Sequence, residues 1–350
     1  MNNTTNEIKR IPAFDIIKLI AIFLVIWGHC IQGFFSTDCA NSPIFRIIYS
    51  FHMPLFMMIS GYFSVSSMAM DSRNFLKKKI SQLIYPCITW GIILWIVLEL
   101  MNSFHYGNKY FSIVGLISDF YWLSDFWFLK SCFICYLLVF LGAYSKTKKP
   151  TWMFTTLIIS QFISPFFVSF LYPCFLIGYE LKQNKVFFTK ILSYKHLFLI
   201  IFIIMLVFWD KEMWIRSHGI PTGILTANLN DWMVLLFSRL YRLLIGIIGS
   251  IAFFTINYDF FNKTLKCPKV YSLYADWGRY TLRIYILQNI ILEKGICSYI
   301  KLDQMDFLTF NFVITPSASL FILIICVYLA KIIERYPPLN RILWDINKKV

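Results

Sequence analysis

The sequence predicts an all-α protein, a polytopic transmembrane helical bundle of about ten spans, and three observations support that fold class. Of the 350 residues, 58% are hydrophobic and only 15% are charged, whereas about a quarter of a soluble domain is charged. The mean hydropathy is +0.64. Apolar runs of span-like length recur along the whole chain, with short polar segments between them. We therefore expect residues 1–350 to form a single integral-membrane domain.

The expected spans follow these apolar runs in chain order. We assign them to residues 15–35, 44–66, 83–103, 126–143, 152–166, 168–181, 197–210, 231–257, 278–300 and 312–332. Only a very short turn at Pro165 separates the fifth run from the sixth, so two crossings and a re-entrant pair are alternatives there.

The net charge of +15 would fit nucleic-acid binding, but its distribution indicates a membrane topology instead. With the N-terminus inside, 22 of the 33 Lys and Arg residues lie in the inner segments, when Arg279 and Lys331 at the inner ends of their spans are included. The outer segments hold 4, and the rest of the spans hold 7. The positive-inside rule then predicts that both termini are cytoplasmic. Because topology explains the charge, we expect no nucleic-acid partner.

The nine cysteines form no recognisable metal-binding or disulfide framework. Cys132 and Cys135 have C-x-x-C spacing, but they lie in an apolar run, whereas a redox pair needs a polar environment that stabilises a thiolate. We expect them to be small core residues, and we expect no bound metal.

The first span carries Asp15, Lys18 and His29 close to one helical face. His29 follows Lys18 by eleven residues and Asp15 by fourteen, and both separations are near a whole number of helical turns. At about 1.5 Å per residue, His29 lies ~16 Å from Lys18 and ~21 Å from Asp15 along the axis. Asp15 therefore belongs to the cytoplasmic mouth and cannot orient His29. Ionisable groups in hydrocarbon often mark functional sites, and a neutral imidazole in the outer half is a candidate general base. A histidine that only packs against a neighbouring helix is the alternative.

The second span places His52 at a similar depth, so the two histidines are predicted to share a cavity unless His52 is merely interfacial. Gly61 in the same span is predicted to permit close helix contact. The basic stretch that follows contains Lys78 and Lys79, which are candidate phosphate ligands or, alternatively, topology anchors at the lipid headgroups.

Later spans contribute five further candidates. Trp127 opens the fourth span and is either a site residue or part of an aromatic belt. Arg239 and Arg242 lie three residues apart inside the eighth span, which favours a polar cavity lined by protein. Arg279 and Arg283 share a face at the inner end of the ninth span, where they would meet phosphate or snorkel to the interface.

Together these motifs resemble the acyltransferase 3 family of bacterial membrane acyltransferases. The likeness extends in order over nearly the whole chain. This sequence departs from the family by having lysine at 18 and 79 and glutamine at 82 where arginine is usual, and glutamine at 288 where histidine is common. The matching elements are the Asp15, Lys18 and His29 spacing, residues 51–63, residues 78–86, residues 127–129 and residues 278–288.

The resemblance implies an O-acyltransferase in the bacterial inner membrane, without a permanently bound cofactor. Its donor substrate would be cytoplasmic acyl-CoA, most often acetyl-CoA. Its acceptor would be a hydroxyl of a surface polysaccharide, a lipopolysaccharide or a lipid-linked precursor. Under this hypothesis His29 is the general base. The phosphate ligands would be Lys18, Lys78, Lys79, Arg279 and Arg283, and the substrate or oxyanion contacts would be Asp15, His52, Trp127, Arg239 and Arg242.

A transporter or flippase for a lipid-linked saccharide is the alternative function, because it would also need buried arginines around a polar cavity. The two halves of the chain show no convincing repeat of hydropathy, which disfavours it. The partners expected from the sequence are the lipid bilayer, acyl-CoA and a carbohydrate or glycolipid acceptor. Neither the acceptor sugar nor the formation of a homo-oligomer follows from the sequence.

Overall fold

The computed structural model describes residues 11–34, 38–106, 126–163, 165–218, 229–264, 268–302 and 305–345, and this part of the chain is helical without β-strands. The helices in chain order are α1 (Pro12–Phe34), α2 (Pro43–Met68), α3 (Ser72–Lys79), α4 (Tyr85–Tyr106), α5 (Trp127–Tyr144), α6 (Lys149–Phe162), α7 (Val168–Gln183), α8 (Lys185–Ser193), α9 (Lys195–Val207), α10 (Lys211–His218), α11 (Leu229–Thr264), α12 (Pro268–Gly278), α13 (Thr281–Gln288), α14 (Cys297–Tyr299), α15 (Phe307–Thr309), α16 (Thr315–Arg335) and α17 (Pro337–Trp344). The predicted all-helical class is confirmed.

Three wide, π-helical turns interrupt this pattern. They join α3 to α4, α13 to α14, and α15 to α16, at Ile80–Ile84, Asn289–Ile296 and Phe310–Ile314. Such turns hold an extra residue and are common at functional sites.

Six helical stretches are long and apolar enough to cross a membrane, which agrees with a multi-pass membrane protein. They are Pro12–Phe34, Pro43–Met68, Ser72–Val97, Trp127–Tyr144, Asn230–Lys263 and Phe307–Arg335. Helices α8 and α9 would form a seventh if they are taken as one span bent by 63°. Three other predicted spans correspond to shorter or interrupted helices: α6, α7, and the pair α13–α14.

Helix α1 lies at the centre of the bundle. It packs against α2, α11, α12, α13 and α16, and its apolar side chains are buried on most of its circumference. A helix that is apolar all round is expected inside a bundle. Its few polar side chains, including His29, therefore face other helices.

Helices α2 and α7 approach each other closely because two glycines meet at their contact. A Cβ atom on Gly61 would lie 1.9 Å from the Phe175 carbonyl oxygen, and one on Gly178 would lie 1.8 Å from the Met58 carbonyl oxygen. Neither separation is physically possible for a larger residue, so the contact requires glycine on both sides. The prediction that Gly61 permits close helix contact is confirmed.

Helices α6 and α7 form an antiparallel hairpin with a tight tip. Phe166 and Phe167 both have φ near 57°, a left-handed conformation that is unfavourable for bulky residues. At the other end of the hairpin, Lys149 Nζ lies 2.5 Å from Glu180 Oε1. Phe167, at this tip, lines a cavity inside the bundle.

Candidate functional site

A cavity of about 410 Å³ lies among helices α1, α2, α5, α7, α11 and the π-turn after α13. Four residues selected from the sequence line it: His29, His52, Trp127 and Arg242. They come from four different spans, so the fold brings together candidates that are far apart in the chain. The predicted common cavity for the two histidines exists.

His29 lies within hydrogen-bonding distance of a carboxylate that was not among the residues predicted from the sequence. Its Nδ1 lies 3.1 Å from Oε1 of Glu293. A carboxylate accepts here, so Nδ1 carries the proton and the neutral ring has a lone pair on Nε2. Nδ1 and Nε2 lie on different edges of the ring, so the base is oriented through one nitrogen and is able to react through the other.

The π-turn Asn289–Ile296 positions Glu293. Gln288 Nε2 donates to Glu293 Oε1 at 3.3 Å, across five residues. A separation of five residues suits a wide π-turn, whereas side chains that meet along an α-helix are three or four residues apart. Glu293 was discoverable by the signal that identified His29, because it is an ionisable residue inside a predicted span.

His52 has a different hydrogen-bonding state. Its Nδ1 lies 2.7 Å from the Ile48 carbonyl oxygen, which only accepts, so Nδ1 is the donor. A neutral His52 therefore has an acceptor at Nε2 and no second N–H to offer an oxyanion. This geometry suits a contact to a substrate hydroxyl better than the oxyanion role.

The two arginines of α11 separate. Arg242 lines the cavity, and its guanidinium carbon lies 4.7 Å from the Phe170 ring centre and 5.7 Å from that of Phe167. Arg239, one turn earlier, is exposed and is absent from the cavity lining. Of the two arginines, Arg242 is therefore the one positioned to meet a substrate in this cavity.

Aromatic side chains form much of the remaining wall, and α10 supplies one of them, Trp214. The start of α10 is attached to the loop before α2, where Lys211 Nζ lies 3.0 Å from Asp38 Oδ2. The Ala40 N–H and Lys211 together lower the pKa of the Asp38 carboxyl below its ordinary value. This ion pair therefore connects the start of α10 with the loop before α2.

A second cavity of about 210 Å³ extends towards the predicted cytoplasmic side and is lined by Lys18 and Arg279. Met53 and Tyr285 line both cavities, so the two cavities are neighbours on either side of this pair. Asp15 does not reach His29, and Lys18 Nζ lies 2.6 Å from Asp15 Oδ1. The first span therefore has the Asp15–Lys18 ion pair near one end and an imidazole near the other. That the charged end is a cytoplasmic mouth stays a prediction.

A cleft of about 390 Å³ reaches the same histidine from another side. It is lined by His29, Gln32, Glu293, Cys297 and Lys301, together with Gly33. Because these residues lie near the end of α1 at the predicted outer side, the cleft provides a second approach to His29.

Three of the predicted phosphate ligands do not line the second cavity: Lys78, Lys79 and Arg283. Lys78 lines a separate groove of about 530 Å³ beside Asp71 and Asp345. Lys79 is only 4% exposed, with Nζ 3.5 Å from the centre of the Tyr136 ring. The structure does not bring either lysine to the second cavity.

Arg283 is buried in a network between helices. Its Nη2 donates to Asn340 Oδ1 at 3.2 Å, and its Nη1 donates to the Ala330 carbonyl at 3.3 Å. These bonds connect α13 with α16 and α17. Its placement favours a structural contribution over a phosphate contact.

Comparison with known proteins gives one family. The acyltransferase 3 model, described as an acyltransferase domain, matches residues 11–331. Two curated relatives are both called nodulation protein NolL. The one from Mesorhizobium japonicum is 30% identical over 188 residues, covering 50% of this chain and 48% of the relative. The one from Sinorhizobium fredii is 29% identical over 187 residues, covering 50% of each chain. The chain spans about half the length of the curated relatives it matches, and no solved structure matches it.

Proposed function

The chain belongs to the acyltransferase 3 family, and we propose that it moves an acyl group, acetyl in the simplest case, from cytoplasmic acyl-CoA to a carbohydrate hydroxyl. The acceptor would be a cell-surface polysaccharide or its lipid-linked precursor. The observation that supports this most directly is the pairing of His29 with Glu293 in a cavity that adjoins a second cavity lined by Lys18 and Arg279.

The proposed topology has ten crossings in a bacterial inner membrane, with both termini in the cytoplasm. The distribution of lysine and arginine along the chain supports this topology. The positions of Lys18 near one end of α1 and His29 near the other also support it. The shorter helices α6 and α7 would complete their crossings as a hairpin. A donor from the cytoplasm and an acceptor from outside would then meet at His29.

The donor would bind with its phosphates at the basic mouth. Lys18 and Arg279 line the second cavity there, and ammonium and guanidinium groups are natural phosphate ligands. The extended pantetheine arm would pass Met53 and Tyr285 into the larger cavity. Lys78 stays a predicted further contact, and it is more accessible than the buried Lys79.

The transfer itself needs one base. The acceptor oxygen attacks the thioester carbonyl carbon while Nε2 of His29 takes the hydroxyl proton. The carbon–sulfur bond then breaks, and the imidazolium returns the proton to the departing thiolate, which leaves as the free thiol. Glu293 keeps the ring oriented and stabilises the imidazolium, as the third group does in catalytic triads.

The developing oxyanion needs a hydrogen-bond donor. Among the side chains of the cavity wall that have N–H groups, we propose the Arg242 guanidinium and the Asn289 amide as candidates for this role. His52 has a hydrogen-bond-accepting Nε2, so it is better suited to bind the hydroxyl group of the carbohydrate substrate. Trp127 and the neighbouring aromatic rings provide flat apolar surfaces of the kind that cover the faces of a sugar ring.

The test is acyl transfer by the purified protein in detergent or vesicles. Acetyl-CoA consumption would be followed with cell-surface glycan as acceptor, for the wild type and for His29→Ala and His29→Gln. In both variants the rate of acyl transfer should fall at least about 100-fold, because a general base usually contributes a factor of that size. His196→Gln is the matched control, because His196 is exposed on α9. Normal transfer by both His29 variants, at normal protein levels, would refute the mechanism.

The same assay separates this proposal from the transporter alternative. A transferase turns over acetyl-CoA in an acceptor-dependent manner, whereas a flippase moves its lipid-linked saccharide without using acyl-CoA. Mass spectrometry of surface glycans with and without the protein would identify the acylated sugar.

A further inference from the structure

Arg242 is the one permanent cation among the described residues that line the larger cavity, and Glu293 is the one carboxylate. Glu293 already accepts from His29 and Gln288. No ion pair between Arg242 and an acidic side chain exists within the described residues. The guanidinium charge therefore lies beside the reaction space without a counter-ion from this part of the protein.

The surroundings of Arg242 are apolar on one side and open on another. The rings of Phe170 and Phe167 lie beside the guanidinium, which holds it by cation–π attraction. Its Nε is buried without a hydrogen-bond partner. A desolvated cation with a free donor edge is costly unless an anion pairs with it.

We propose that Arg242 forms a carboxylate-binding subsite in the transfer cavity, so that one of the two substrates carries a carboxylate close to the reacting groups. Two sources share this chemistry, an acidic sugar in the acceptor and a dicarboxylic acyl group, such as succinyl, in the donor. A carboxylate would meet the part of the guanidinium that lines the cavity, in the paired geometry that arginine favours. The inference rests on the proposed function, because it takes the cavity to be the place of acyl transfer.

This assignment leaves the oxyanion to Asn289. Its side chain is 3% exposed and lines the same cavity, and its amide nitrogen is a hydrogen-bond donor. Asn289 lies four residues before Glu293, within the same π-turn. A neutral amide suits a charge that exists only transiently, whereas a permanent guanidinium charge is compensated better by an anion present in the bound substrate.

The first experiment measures binding and needs no turnover. Methyl glucuronide and methyl glucoside differ in a carboxylate, and acetyl-CoA and succinyl-CoA differ in the same way. Binding of all four to the purified protein would be followed by tryptophan fluorescence, because Trp127 and Trp214 line the cavity. In at least one pair the wild type should prefer the carboxylated member about tenfold, as expected for one charge-assisted pair. The pair that shows the preference identifies the source.

Substitution then tests the residue. Arg242→Gln should abolish that preference, and Arg242→Lys should retain part of it, because lysine keeps the charge but loses the paired geometry. Arg216→Gln is the control, since Arg216 is an exposed cation on α10, and it should keep the full preference. The proposal would be overturned if the wild type bound the carboxylated and uncarboxylated compounds equally in both pairs. It would also be overturned if the preference for the carboxylated compound remained in Arg242→Gln.

A second readout separates the subsite from an oxyanion role. The rate of acyl transfer by Arg242→Gln would be compared with that of the wild type for each donor and acceptor. If the rate falls by the same factor for all of them, Arg242 stabilises the oxyanion, and the proposal of a carboxylate subsite is overturned. His29→Gln provides the converse control, because it should keep the binding preference while losing transfer. Failure of the proposed function would therefore appear as transfer by His29→Gln, and failure of the subsite as absence of carboxylate selectivity.

Discussion

His29 Nδ1 lies 3.1 Å from Glu293 Oε1, although the two residues are near opposite ends of the chain. The contact joins the central helix α1 to the π-turn after α13, and it decides which ring nitrogen of the neutral His29 carries the proton. Gln288 donates to the same carboxylate oxygen, so the acid is itself held. The arrangement is that of a base with an orienting acid and a further positioning group.

Glu293→Gln should lower the rate of acyl transfer by about 100-fold while leaving the KM for acetyl-CoA little changed. An amide can present its NH₂ group to Nδ1 and so favour the tautomer whose Nε2 is protonated, which cannot act as a base. The double variant with His29→Gln should be no slower than His29→Gln alone, because the two side chains act as a unit. Steady-state kinetics of the three proteins checks this. Glu212→Gln, at an exposed glutamate on α10, serves as control, and additive losses in the double variant would contradict the pairing.

Arg279→Gln should raise the KM for acetyl-CoA about fivefold with little change in kcat, because Arg279 lines the mouth beside Lys18 and its charge would attract the donor phosphates. Raised salt should weaken donor binding by the wild type more than by the variant. Kinetics at two ionic strengths is the measurement. Lys185→Gln removes an exposed cation at the start of α8 and is the matched comparison. An equal rise in KM for both variants would argue for general surface charge rather than a phosphate site.

Met53→Trp should reduce transfer at least about tenfold without weakening the binding of free CoA. Met53 lines both cavities, and a larger ring there would narrow their junction. Binding at the mouth would persist while the acyl end no longer reached His29, and misplacement by about 1 Å can cost 100-fold. Calorimetry with CoA and a transfer assay separate the two effects. Met233→Trp, at an exposed position of α11, should retain both properties, and full transfer by Met53→Trp would exclude this route.

Gly178→Ala should destabilise the protein by about 1–3 kcal/mol or more, the usual cost of overpacking. The added Cβ would lie 1.8 Å from the Met58 carbonyl oxygen, which is backbone and cannot rotate away. Thermal unfolding in detergent checks the result. Gly295→Ala is the matched control, because its nearest neighbour, the Ile290 carbonyl oxygen, would be 3.4 Å away. Equal melting temperatures for wild type and Gly178→Ala would show that α2 and α7 are able to separate.

Arg283→Gln should also lower the unfolding free energy, by about 1–3 kcal/mol, because it leaves buried acceptors on Asn340 and Ala330 without their donor. Limited proteolysis near the C-terminus would detect the loosening of α17. Arg335→Gln, at the end of α16 and exposed, provides the comparison. Unchanged stability of Arg283→Gln would return this arginine to the set of phosphate candidates.

The sequence by itself determined the helical membrane class and the two ends of the first span. Both follow from local properties: the hydropathy of a run, the rise of a helix per residue, and the cost of an ionisable group in hydrocarbon. His29, His52 and Arg242 were identified in this way, and Trp127 was identified as an aromatic residue at the start of a span. The resemblance of the motifs to the acyltransferase 3 family added the chemistry.

Only the tertiary structure decided which candidates meet. It paired His29 with Glu293, separated Arg242 from Arg239, and placed Arg283 in a network between helices. These outcomes depend on how distant helices pack. They also depend on a π-turn whose extra residue rotates every later position relative to an ideal α-helix. Periodicity at 3.6 residues per turn carries no information about such a turn. Glu293 is recognisable in the sequence as an ionisable residue within a span, but its pairing with His29 could be found only in the folded chain.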